Sequence, residues 1–154
     1  YNLSQAVVGL FSVVYLSGIY SSAKIGALAD RLGRRNVLWA VIVLMLIGLA
    51  LTMFTPLPVV VAGVLMFTFG FFGAHSVASS WIGRRAIKAK GQASSLYLFS
   101  YYVGSSIAGT GGGVFWHYGG WNGIGVFIGL VLLAALGVAL KLAKVQPLAV
   151  NVQV

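Results

Sequence analysis

The sequence predicts an all-α integral membrane protein: five transmembrane helices, with the amino terminus outside and the carboxyl terminus inside. Three observations carry this. Of 154 residues, 60% are hydrophobic and 7% charged, against about 25% charged in a soluble domain. The ten Lys and Arg fall into three clusters separated by long uncharged stretches. Threaded through a bilayer, all three clusters come to the same side, as the positive-inside bias requires.

The elements follow in order from these gaps, since a helix needs about 20 apolar residues to cross the hydrocarbon. The uncharged stretch before Lys24 holds one span, predicted at 5–27. Lys24, Arg31, Arg34 and Arg35 form the first basic cluster. Residues 36–83 then carry no Lys, Arg, Asp or Glu, a stretch too long for one helix. The TPLP sequence at 55–58 breaks it into spans at 36–54 and 58–82. Arg84, Arg85, Lys88 and Lys90 form the second cluster. Residues 91–140 are again uncharged, and HYGGWN at 117–122 divides them into spans at 92–115 and 121–143. Lys141 and Lys144 close the set, and 145–154 is read as a cytoplasmic tail. Trp39 and Trp81 fall near the basic ends of helices, and Trp116 and Trp121 flank the outer turn, as interfacial aromatics do.

Small residues forecast the packing, because close helix contact in lipid relies on them. Gly18, Ser22 and Gly26 make a stripe on the first helix. The fourth has Ser100, Gly104, Ala108 and Gly112 at intervals of four, with Ser105, Gly109 and Gly113 alongside. The third has Gly63, Gly70, Gly73 and Ala74, and the fifth has Gly125 and Gly129. The second helix, VLWAVIVLMLIGLALTM, is bulky and aliphatic and is expected to face lipid.

Composition excludes much. With no cysteine, thiolate chemistry and disulfides are absent. The net charge of +9 flanks spans instead of forming a nucleic-acid patch. No carboxylate pair, nucleophile triad or phosphate-binding glycine loop is present, so neither enzyme chemistry nor a cofactor is expected, and two His without acids make no metal site. His75 is the one ionisable group well inside a predicted span, some two turns from the cytoplasmic end of the third helix. It is either a proton-carrying or binding group or a neutral imidazole bonded to a neighbouring helix. Tyr15 on the first helix, Phe71 on the third, and Tyr97, Tyr101 and Ser105 sharing one face of the fourth are candidate cavity-lining residues, with buried packing the alternative for each.

The stretch GALADRLGRR, residues 26–35, holds the chain's single acidic residue, Asp30. It resembles the signature loop of the major facilitator superfamily, G-x-x-x-D-[RK]-x-G-[RK]-[RK], matched at Gly26, Asp30, Arg31, Gly33, Arg34 and Arg35. The stretch from Arg84 to Trp121 is similar to that family's loop before helix eleven, helix eleven and the outer turn to helix twelve. Residues 1–144 thus resemble helices eight to twelve of such a bundle. Starting at Tyr1 without an initiator Met or signal peptide, and with an odd helix count, the chain reads as a piece of something longer.

The resemblance implies a secondary transporter of a small molecule in the bacterial inner membrane, working by alternating access, with bacterial efflux permeases and proton-driven export the nearest type. It implies that the signature loop is a conformational latch on the cytoplasmic side, with Asp30 meeting a helix of the missing amino-terminal half. Locally, Gly26 is expected to let the helix end approach a neighbour and Gly33 to permit a tight turn. Asp30 is expected to accept backbone N–H groups at the positive end of a helix. The coupling group lies in the missing half, or is His75, or does not exist. A different class of reading is a small standalone membrane protein that self-assembles or scaffolds a partner through its Gly-rich faces.

Overall fold

The computed structural model describes residues 14–145, together with Gln5 and Gly9. The start of the first predicted span and all of the tail after Val145 lie outside the described residues. From Val14 on, the described residues form four helical runs: α1 Val14–Leu32, α2 Arg34–Leu51, α3 Leu57–Arg85 and α4 Lys90–Ala143. Among the described residues there is no strand. By length and composition α2, α3 and α4 are each fit to cross a membrane; α1, which carries Lys24, Asp30 and Arg31, is not among them.

The turns are tighter than the sequence suggests. The signature stretch is not a loop: α1 runs through Gly26 and Asp30 to Leu32, and α2 begins at Arg34. Gly33 alone reverses the chain, at φ 87° and ψ 131°, in the positive-φ region that a side chain strains. Its carbonyl accepts the backbone N–H of Asn36 and Val37, and the Asn36 side-chain amide donates to the Leu32 carbonyl at 2.9 Å. These bonds satisfy groups that helix ends leave open. The second turn is nearer expectation, with Pro56 as N-cap and Pro58 in the first turn of α3, where proline's missing N–H costs nothing.

A straight helix of 54 residues, the length of α4, would be about 80 Å long, far beyond a bilayer. It is broken at Gly120, the one residue inside it with non-helical angles (φ 54°, ψ −139°). The two arms, residues 90–119 and 121–143, fold back on each other. Phe115 and Phe127 stack at 4.8 Å between ring centroids, Trp116 meets Trp121 edge-on at 6.3 Å, and Gly112 faces Ile124 and Phe127. The indole N–H of Trp121 donates to the Thr52 carbonyl at 3.0 Å, fixing this turn to the end of α2.

The core corrects one expectation in part. The aliphatic second helix buries one face, with Val37, Leu38, Val41, Ile42, Met45 and Gly48 all buried, while Trp39, Ala40, Ile47 and Ala50 stay exposed. The reason lies in its partner. A Cβ on Gly63 of α3 would stand 2.6 Å from the Gly48 carbonyl, and one on Gly70 would stand 2.6 Å from Met45. Bulky residues of α2 thus fill the space that glycines leave on α3, and at Gly48–Gly63 the two backbones touch. On α4 the packing comes from the second arm, where Gly125 meets Met53, Gly129 meets Leu49, and Leu132 and Ala139 join the core.

The stripe on α1 is rotated from its predicted centre. Val14, Gly18, Ser21, Ile25 and Ala29 are the buried positions, and Ser22 and Gly26 stand at its edge. Gly18 lies against the ring of Phe72. The buried Ser21 hydroxyl donates to the Phe69 carbonyl, and Ser76 donates to the Ser22 carbonyl at 3.2 Å. A Cβ on Gly26 would meet Ser76 at an ordinary 3.5 Å. The Gly/Ser face of the first arm of α4 makes little contact within the chain: at Gly104, Gly109 and Gly113 a Cβ would enter open space, whereas Gly112 is buried and Ala108 half-buried.

Candidate functional site

Two groups of the predicted residues come together, at different depths. The first is the junction of α1, α2 and α3 at the end that carries the basic clusters. Asp30 sits in the last turn of α1 and Arg34 opens α2, four residues on across the Gly33 turn. Both charges stand at the helix ends whose macrodipole disfavours them, which corrects the expectation of Asp30 at a positive helix end. The ion pairs offset this. Arg34 Nη2 pairs with Asp30 Oδ1, and Arg84 Nη2, from the last turn of α3, reaches the same oxygen at 3.2 Å. Arg34 Nε also donates to Ser80 Oγ at 3.1 Å. Only 14% of the Arg34 side chain is exposed, against 52% for Asp30 and 61% for Arg84, so Arg34 is the inner member of the network.

The carboxylate therefore ties three helix ends of this chain together, with partners inside the sequence. Arg31 points to an exposed position, and Arg35 Nη1 donates to the Val145 carbonyl at 3.3 Å, joining α2 to the end of α4. Ser80 and Arg84 escaped the sequence reading. Nothing in it could rank Arg84 above its basic neighbours, because pairing depends on how α3 crosses α1.

The second group surrounds His75. Because α3 runs from Leu57 to Arg85, His75 lies one turn past its midpoint and about 15 Å from its basic end, deeper than the two turns expected from the shorter predicted span. Tyr97 of α4 places its hydroxyl 2.9 Å from His75 Nδ1 and 3.5 Å from the His75 backbone carbonyl. The Tyr101 ring lies 5.0 Å from the imidazole centroid, and Phe71 stacks at 6.5 Å and 21°. His75 and Phe71 are half-buried. The sequence placed Tyr97 and Tyr101 on one face, and the structure brings that face to His75.

The remaining predicted positions stand apart. Tyr15 packs edge-on against Phe72 at 6.1 Å and is 66% exposed. Ser105 donates to the Tyr102 carbonyl of its own helix at 2.9 Å.

The His75–Tyr97 pair accommodates two protonation states. With the imidazole neutral and its proton on Nε2, the Tyr97 hydroxyl donates to Nδ1. With the imidazole protonated, Nδ1 donates to the hydroxyl oxygen, and the hydroxyl proton turns to the His75 carbonyl. The aromatic faces around the pair add apolar and cation-accepting surface. No metal-binding group of three or more His, Cys, Asp or Glu occurs among the described residues.

Comparison with known proteins gives this geometry its context. The chain is 60% identical over 144 residues to the inner membrane transport protein YnfM of Escherichia coli, covering 94% of this chain and 34% of that protein. It is 46% identical over 144 residues to the uncharacterized MFS-type transporter YybF of Bacillus subtilis, covering 94% of this chain and 36% of that one. An uncharacterized transporter of Buchnera aphidicola from Schizaphis graminum is 47% identical over 142 residues, which is 92% of this chain and 34% of the relative. The chain thus spans about a third of the length of these relatives. No solved structure matches it. The sequence profile described as Major Facilitator Superfamily matches residues 1–152. With that profile over nearly every residue, and with an all-helical bundle whose first turn is built on Asp30, Gly33 and Arg34, the chain belongs to the Major Facilitator Superfamily.

Proposed function

We propose that the chain is the helix-eight-to-twelve part, residues 1–144, of a secondary transporter that moves a small molecule across the bacterial inner membrane by alternating access, with proton-coupled efflux as its mode. The observation that carries this is the family match across residues 1–152, together with relatives about three times as long. The basic end of the bundle is then cytoplasmic, and the amino-terminal half of the transporter supplies the remaining wall of the translocation path.

In this reading His75, Tyr97, Tyr101 and Phe71 face the substrate near mid-membrane, where transporters of this kind bind cargo. Tyr15 and Ser105 line the path further along. The place of His75 well inside the span, hydrogen-bonded to Tyr97, supports a proton-linked role for it. Gly26, Asp30, Arg31, Gly33, Arg34 and Arg35 act as the latch, with the Asp30 network holding the cytoplasmic ends of α1, α2 and α3 as one body while the halves rock. Gly18 and Ser22 are packing positions within this body, Gly112 packs between the two arms of α4, and the face carrying Gly104 and Ala108 is left for the other half.

The test is flux. The whole protein, reconstituted in proteoliposomes, is expected to move substrate drawn from drug-like or sugar-like compounds when a proton gradient is applied, and the 154-residue chain alone is expected to be inactive. Substrate-dependent flux by the chain alone, or none by the whole protein under either gradient sign, overturns the proposal. Asp30→Asn in the whole protein is expected to shift it towards inward-open states, read as increased labelling of cysteines placed at the cytoplasmic end. Unchanged labelling removes the latch role.

A further inference from the structure

A cavity of about 370 Å³ lies at the basic end of the bundle, its innermost α3 residue, Ala78, one turn past His75. That volume is within the ~300–1,000 Å³ of ligand pockets. Its walls come from α2, α3 and both arms of α4: Leu38, Ala78, Trp81, Ile82, Ala93 and Leu142. All six are apolar except for the indole N–H of Trp81. Arg85, the last residue of α3, also lines it. So does Val145, whose carbonyl is held by the Arg35 guanidinium at 3.3 Å. An apolar slot therefore ends beside two guanidinium groups carried by neighbouring helices.

Charge and depth say what fits. The chain's single acidic side chain, Asp30, is engaged by Arg34 and Arg84, and the net charge is +9, so this end carries a large positive excess. At 29 residues, α3 is about 43 Å long against ~30 Å of hydrocarbon, which puts its terminal Arg85 among headgroups. Trp81, one turn earlier, falls at the interface. A ligand for this place brings negative charge to the arginines and hydrocarbon to the slot. A soluble anion meets the first need and leaves the second unmet.

We propose that this cavity is a binding site for an anionic phospholipid, its phosphate between Arg35 and Arg85 and one acyl chain along Trp81. Guanidinium forks suit phosphate oxygens, and basic pockets between helices at the membrane surface hold anionic headgroups. The lining residues named here all belong to this chain, so the proposal does not depend on the transporter's cargo or coupling.

Trp81 reports on the slot directly. The whole protein is placed in phosphatidylcholine bilayers containing a small fraction of either phosphatidylglycerol or phosphatidylcholine brominated on its acyl chains. The Trp81 signal is the quenching lost on Trp81→Phe. Brominated phosphatidylglycerol is expected to quench Trp81 preferentially, and Arg35→Gln and Arg85→Gln are each expected to lower that preference about fivefold, as one basic group at the surface implies. Circular dichroism and Trp81 emission in pure phosphatidylcholine check that the variants fold. Equal quenching by the two lipids in the unsubstituted chain overturns the proposal, whatever the variants do. So does a preference unchanged in a folded double variant, or loss of the bound lipid to millimolar inorganic phosphate.

Discussion

At the scale of single residues, Gly33 and Tyr97 each have one task. Gly33 turns the chain in a single step at positive φ, and a side chain there costs about 1–3 kcal/mol. Gly33→Ala is expected to lower the unfolding free energy in detergent by that amount and to leave helix content nearly unchanged in circular dichroism. Tyr97→Phe removes the hydroxyl that holds His75 Nδ1. Side-chain bonds between helices in a membrane average about 0.6 kcal/mol, so little stability is lost. The sharper readout is ¹⁵N NMR of the imidazole: in the native chain one tautomer, protonated on Nε2, is expected, and in Tyr97→Phe a mixture. A single tautomer in both removes the hydroxyl from its assigned role. The turn glycine was legible in the motif. The His75–Tyr97 bond was not, because no spacing rule relates α3 to α4 across the intervening turn.

At the scale of elements, glycine content alone says little about which glycines are in contact. Gly63 faces the Gly48 carbonyl with no room for a Cβ, whereas Gly104 faces open space. Gly63→Val is expected to destabilise the bundle by about 1–3 kcal/mol through overpacking, with α2 and α3 forced apart. Gly104→Val in the same chain is expected to fall within about 0.5 kcal/mol of neutral. Chemical unfolding of the two variants side by side checks both. The sequence marked small residues on both helices, Gly63 and Gly70 as well as the Gly/Ser crowd near Gly104, without telling which of them meet a partner within this chain, and it read α2 as a lipid-facing helix. Hydropathy measures preference for lipid or protein over water and does not distinguish lipid from protein. A helix that is apolar all round, as α2 is, carries no stripe to mark its buried side.

At the scale of the whole molecule, three helix ends share one carboxylate. Asp30 is half exposed, and exposed pairs contribute about 0–1 kcal/mol each, but Arg34 is largely buried and loses its counter-charge when Asp30 is removed. Asp30→Ala is therefore expected to loosen the α1–α2–α3 junction locally. Hydrogen exchange at residues near Gly33 and in the last turn of α3 is expected to rise, with α4 near Gly120 unaffected. Exchange rising equally at the far end would show that the network is not a local clamp.

The sequence by itself determined the class and marked the breaks at Gly33, Pro56 and Gly120. Charge placement, the two prolines at 56 and 58 and the glycines at 33 and 120 act locally, through the cost of charge in hydrocarbon and through permitted backbone angles, and they leave their mark wherever they stand. The signature residues at 26–35 disclosed the family in the same local way. Tertiary structure alone decided which surfaces meet: one face of α2 in the core, Ser21 instead of Ser22 in the buried seam, Arg84 beside Asp30, and Tyr97 on His75. In a bilayer most of every helix face is apolar, so partner choice rests largely on the fit of bulky residues into glycine gaps on another helix, and that fit belongs to the pair and to neither sequence segment alone.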